Sequence, residues 1–281
     1  MSWFVLILLS TFIVSFANIL QKSLMKDDKS DPISYSIIFA FLLGIINFII
    51  ALFFGFHFPV LSLSIIFFPI AAILWGLGTV LFFKALQLLE SSEVTILASV
   101  RSLVTIAAAL LFLGETFSMQ KLLGTIIILV SIFIVTNLKG GIKFNKGIYY
   151  TFGMALFYGL AIACDVVNLR SIDPLSYLAI INILIGIILL MIFPKAILKM
   201  EVLKSKSFLK KMLTLGVFTS AQAIAYYFAL AKGPASQIAP IGQSQVIITI
   251  LLAVIILKER DNLLRKMVAA ILVTIGVLLL R

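Results

Sequence analysis

Two ionisable side chains stand inside long apolar runs of this chain, Arg101 and Asp165. A charge in such surroundings is costly unless it faces a cavity or a partner. Arg101 can hold a carboxylate or phosphate through charge-assisted hydrogen bonds, or it can be structural, capping helix ends or pairing with Asp165. At about 1.5 Å of rise per residue their Cα atoms differ by roughly 12 Å in depth, so a direct pair needs tilt and an extended arginine. Asp165 without a partner suits the uptake of a coupled proton; the alternative is a water-lined residue near the membrane face. A third polar group is Pro240-Ile-Gly-Gln-Ser-Gln245. Proline removes a backbone donor there, and a kink frees carbonyls beside Gln243, Ser244 and Gln245. Asn18, Trp75, Thr79, Tyr158, Gln222 and Tyr226 complete the candidate lining, although aromatics in apolar runs serve equally in packing or in an interfacial belt.

The elements that carry these residues are membrane helices. Of the 281 residues, 63% are hydrophobic and 12% charged, with mean hydropathy +1.24. So few ionisable groups cannot cover a water-soluble exterior, whereas lipid wets an apolar one. Spans of roughly 17–25 apolar residues are expected at 2–24, 33–54, 65–87, 93–113, 119–138, 146–170, 174–193, 208–231, 235–257 and 263–280. The first is read as a retained span, because no basic residue precedes it. Residues 194–207, rich in lysine, are expected along the interface, and recurring small residues such as Gly76 and Gly78 suit close helix packing. The net charge of +11 is spread through the connections rather than gathered in one basic patch, which argues against nucleic acid. Cys164 is the single cysteine, so no disulfide forms within the chain, and His57 lacks partners for a metal. Glu115 and Glu259, at span ends, are expected to pair with Lys121, Lys258 or Arg265.

The chain repeats itself at an offset of 144 residues. Ala85-Leu86 falls on Ala229-Leu230, Thr105-Ile106 on Thr249-Ile250, and Leu113-x-Glu115 on Leu257-x-Glu259; Lys121 falls on Arg265 and Arg101 on Gln245. The units are residues 1–138 and 146–281, joined by a linker at 139–145. Five spans per unit is an odd number, so the second unit enters the membrane from the opposite side, as in many inverted-repeat carriers. Charge agrees: of the 22 Lys and Arg residues, 17 belong to connections 1–2, 3–4, 5–6, 7–8 and 9–10 and four to the other side. The expectation is an all-α integral membrane protein of ten helices, two inverted five-helix repeats around a central cavity, with both termini outside the cytoplasm.

The ends of the fourth and ninth spans, Leu111-Phe-Leu-Gly-Glu115 and Ile255-Ile-Leu-Lys-Glu259, with Phe83-Lys-Ala-Leu86 and Tyr227-Phe-Ala-Leu230 before them, carry a family likeness. Over essentially its whole length the chain resembles the drug/metabolite transporter superfamily, in its ten-span branch of paired EamA-type domains. The resemblance implies ten helices around a central cavity in a cell membrane, alternating access, and movement of small metabolites such as amino acids, often outward. It departs from the family in two ways. Val14-Ser15 or Phe16-Ala17 stands where a Trp-Gly pair is frequent, and family termini are usually drawn as cytoplasmic, against the charge count. An enzyme is disfavoured, since one His, one Cys and no clustered carboxylates offer no catalytic set. No phosphate-binding loop marks a nucleotide as driver. The expected partners are a small-molecule substrate, its Arg101 contact carboxylate-bearing, and the lipid bilayer; no cofactor is expected, and a monomer suffices. The alternatives are a flippase for lipid-linked or amphipathic substrates and an uncoupled facilitator.

Overall fold

The computed structural model describes residues 1–25, 31–59, 63–113, 118–136, 145–233, 238, 241–242, 245–259 and 261–279. Among them every regular element is helical: α1 Trp3–Met25, α2 Pro32–Phe54, α3 Phe67–Leu88, α4 Ser91–Leu97, α5 Val100–Leu113, α6 Met119–Thr136, α7 Lys146–Asn168, α8 Pro174–Ile192, α9 Lys206–Lys232, α10 Gln245–Leu252 and α11 Leu263–Leu279. A 3₁₀ stretch, Pro194–Lys204, joins α8 to α9, and α10 runs on into a π turn, Ala253–Leu257. Six helices, α1, α2, α3, α7, α8 and α9, are long and apolar enough to cross a membrane; α5, α6, α10 and α11 are shorter apolar helices. Large apolar side chains such as Phe12, Leu52, Val217 and Ile255 stand exposed on the exterior, as a lipid-facing surface requires. The protein is a multi-pass membrane protein.

Local sequence sets the helix starts. Asp31 and Asp173 each precede a proline and accept the orphan N–H groups of the first turn: Ser34 N–H at 3.0 Å for α2, Leu175 and Ser176 N–H at 3.0 Å for α8. Asn145 caps α7 and Ser205 caps α9 in the same way. Asp31 also meets Lys199 at 2.9 Å, tying α2 to the 3₁₀ stretch. Burial pushes the Asp31 carboxyl up, but Lys199 and both Ser34 donors outweigh it and hold it below its ordinary value.

The expected fourth span, 93–113, is not one helix. A capping box between Glu90 and Glu93 starts α4 at Ser91, the chain turns at Ala98-Ser99, and α5 restarts at Val100. The Ser99 hydroxyl donates to the Ile96 carbonyl at 2.6 Å, the side-chain competition with the helical ladder that serine permits. Arg101 therefore sits in the first turn of α5 and not in mid-helix.

Packing is mostly across the halves. The dominant helix pairs are α3 with α7, α2 with α8, α1 with α9 and α6 with α11. Helix ends also recur at the offset of 144: α3 ends at Leu88 and α9 at Lys232, and the helical runs through α5 and α10 end at Leu113 and Leu257. Exchanging the halves turns the α3–α7 pair into the α9–α1 pair and maps α2–α8 and α6–α11 onto themselves. The buried core fills the space between, with Tyr35, Phe39, Phe83 and Phe208 meeting edge to face.

Candidate functional site

A cavity of about 240 Å³ lies among α1, α2, α3, the α4–α5 corner, α7, α8, α9 and the start of α10. Eight of the ten residues expected in the lining face it: Asn18, Trp75, Thr79, Arg101, Tyr158, Gln222, Tyr226 and Gln245. Gln243 and Ser244, like Pro240 and Glu115, lie outside the described residues, while Gly242 joins the lining.

Arg101 owes its place to the corner. Its backbone N–H donates to Ala98 O at 3.0 Å, and Thr105 Oγ1 donates to Arg101 O at 2.9 Å and to Gly159 O at 3.3 Å, which locks α5 against α7. A Cβ at Gly159 would stand 2.6 Å from Val104 Cβ and 2.9 Å from Arg101 O, so only glycine permits this approach. The guanidinium makes no hydrogen bond or ion pair with another described residue. The phenols of Tyr158 and Tyr226 line the same cavity.

Asp165 does not pair with Arg101. It is fully buried beside the cavity, behind Trp75 and Tyr227. Trp75 Nε1–H donates to both its oxygens, at 3.2 and 3.0 Å, Tyr227 O–H donates to Oδ2 at 2.6 Å, and Tyr177 O–H donates to Oδ1. Asn168 Nδ2 in turn donates to the Tyr177 hydroxyl at 3.3 Å. Three neutral donors from α3, α8 and α9 thus replace the cation that the sequence offered. Tyr177 and Tyr227 escape sequence reading because aromatics in apolar runs usually pack. A polar group to match Asp165 was the only available signal.

The other wall residues are held in pairs. Thr79 Oγ1 meets the Tyr158 hydroxyl at 3.0 Å, and the Trp75 and Tyr158 rings lie 4.5 Å apart. Gln222 Nε2 donates to Ser10 Oγ at 3.0 Å, and Ser10 Oγ donates to Gln222 O at 3.1 Å. Asn18 Nδ2 reaches Thr249 Oγ1 at 3.4 Å, and Ser15 Oγ donates to Gln245 O at 3.3 Å. Ser10, Thr11, Gln21 and Asn182 also line the cavity and were not among the expected residues. Asn182, a polar residue in the apolar run of α8, carried the clearest missed signal.

At one end of the bundle a second polar cluster fixes the α3–α4 turn. Glu259 accepts from Ser91 N–H at 3.1 Å, Ser92 N–H at 3.3 Å and Ser92 Oγ–H at 2.9 Å, so it caps α4 instead of pairing with Lys258 or Arg265. Lys22 Nζ donates to the Leu86 and Leu89 carbonyls at 2.6 and 2.7 Å, and the buried Lys266 pairs with Glu90. The reason is geometric: the orphan groups of two helix ends meet here, and they outbid a surface ion pair. His57 is likewise engaged, its backbone N–H donating to Ser176 Oγ at 2.9 Å.

A sequence model of the EamA-like transporter family matches twice, over residues 1–137 and 145–281. The chain belongs to the EamA-like transporter family. Its two copies of the EamA domain account for nearly the whole protein, and the family is one of transporters. A search of curated proteins finds no match. A solved crystal structure of a protein 13% identical to this chain superposes with a TM-score of 0.72 over 98% of this chain and 95% of its own, a likeness of fold alone.

Proposed function

We propose that this protein is a secondary transporter that moves a small, carboxylate-bearing metabolite, such as an amino acid, outward across the cell membrane by alternating access. The single observation that carries this reading is the Arg101 guanidinium, facing a cavity between the two EamA copies with no partner among the described residues. Arg101 is half-buried in the cavity wall, and a cation there gains charge-assisted hydrogen bonds from an anionic ligand. Asn18, Gln222 and Gln245 supply amide groups around it, and Trp75 and Tyr158 supply an apolar face. Gln243 and Ser244 are assigned to the same lining from the sequence.

The architecture under this reading is ten spans in two inverted repeats. It is supported by the opposite charge bias of equivalent connections and the exchange of helix pairs between the halves. The charge bias assigns both termini to the extracytoplasmic side. Asp165 is the proposed proton site, since it is the one acid buried within a spanning helix next to the cavity. Its three donors favour a second reading, an uncoupled facilitator in which the carboxylate is structural.

The test is transport in proteoliposomes. Arg101→Gln should abolish carboxylate transport while insertion and thermal stability persist, and undiminished transport removes Arg101 from the site. A pH gradient should drive wild-type transport but not that of Asp165→Asn; equal rates in both, gradient or none, favour the facilitator.

A further inference from the structure

The charges around the cavity differ between substrate classes that share a carboxylate. Arg101 is the only ionisable Lys, Arg, Asp or Glu side chain in the described lining. Among the described residues, Asp31, Glu90, Asp173 and Glu259 lie in a connection or at a helix end, away from the lining. Asp165 itself is fully buried outside the lining, with both oxygens taken by Trp75, Tyr177 and Tyr227. An α-ammonium group in the cavity therefore meets no carboxylate among the described lining residues. A zwitterion brings its own positive charge into the space that already holds the guanidinium. A monoanion brings none. Like charges a few ångströms apart repel, and the more so the less water stands between them.

We infer that the site selects an organic monoanion without an α-ammonium group: a monocarboxylate of the 2-hydroxy or 2-oxo acid type with an apolar body small enough for about 240 Å³. The inference rests on the carboxylate reading above and narrows its substrate class. The neutral amides of Asn18, Gln222 and Gln245 suit a hydroxyl or oxo group, which accepts as well as it donates or needs only a donor. Phe39, Phe82 and Met154, with the Trp75 ring, suit the apolar body.

The experiment uses matched pairs that differ only at the α substituent. These are 2-hydroxy-4-methylpentanoate against leucine and 3-phenyllactate against phenylalanine, with 3-methylbutylamine as the compound lacking a carboxylate. Each is titrated against the purified full-length protein by thermal shift and then offered to proteoliposomes. The hydroxy acids should stabilise and be transported at concentrations at least about tenfold below those of their amino-acid partners. Arg101→Lys should keep that ranking at weaker affinity, and Arg101→Gln should lose the response. Amino acids acting at equal or lower concentration overturn this inference and leave the carboxylate reading standing. A response to the amine, or to neither series of carboxylates, overturns both, and a ranking unchanged in Arg101→Gln overturns the assignment to this cavity.

Discussion

Replacing Gly159 by alanine probes the corner that aims Arg101. The added methyl would meet Val104 Cβ and Cγ1 at 2.6 and 2.7 Å and, more tellingly, the backbone oxygen of Arg101 at 2.9 Å. Val104 Cγ1 can rotate away; Val104 Cβ, fixed to its backbone, and a carbonyl that already accepts from Thr105 Oγ1 cannot. The α7–α5 contact must open by several tenths of an ångström, moving the first turn of α5 and the guanidinium with it. Overpacking of this kind costs about 1–3 kcal/mol. If half or more of that falls on ligand contacts, affinity drops by roughly 2- to 150-fold. Thermal melting of purified protein, with and without substrate, measures both parts. Gly242→Ala is the control for stability, because a Cβ there meets only Ile7 Cδ1 at the ordinary distance of 3.5 Å. A Gly159→Ala protein with wild-type melting and wild-type affinity would refute the idea that this close approach positions Arg101.

Three further outcomes follow from the polar ends of the helices. Glu259→Ala strips the cap from α4 and leaves buried N–H groups unmet, so melting should fall by the equivalent of about 1–3 kcal/mol, with Glu259→Gln recovering part. Lys266→Met leaves Glu90 without its buried partner; the loss should stay below the roughly 3–5 kcal/mol of a fully buried pair because Glu90 keeps some water contact, and adding Glu90→Gln should restore stability. Asp31 has a folded value below its ordinary 3.8, so its contribution is complete above about pH 4 and fades as pH falls through the lower folded value. The melting difference between wild type and Asp31→Asn should therefore be constant near neutrality and shrink in acid. A difference that grows in acid would reverse the assigned sign.

Much of the framework was legible because it follows from transfer free energy and covalent chemistry. A run such as Pro32–Phe54 has no stable home in water, and an Asp-Pro pair such as Asp31-Pro32 or Asp173-Pro174 announces a helix start with its cap. Polar residues in apolar runs announced the cavity for the same reason: Asn18, Gln222 and Gln245 would be costly against lipid, and all three face inward. Partner choice was not legible. Charge offered Asp165 as the alternative partner of Arg101 and a base for Glu259, yet neutral phenols and an indole hold the one, and the N–H groups of α4 hold the other. Such donors carry no signature in one dimension, since Tyr177 and Tyr227 are indistinguishable from packing aromatics until α8 and α9 are set beside α7.

The amino-acid sequence by itself determined that the protein lives in a membrane and that its halves share one pattern at an offset of 144 residues. These are properties of runs and spacings, and hydrophobic transfer reads them without knowing the fold. Tertiary structure alone decided where α4 stops and α5 begins, which groups satisfy Asp165, and that Arg101 is left facing the cavity. Those outcomes depend on contacts between helices far apart in the chain, where a few tenths of an ångström at Gly159 separate a fit from a clash.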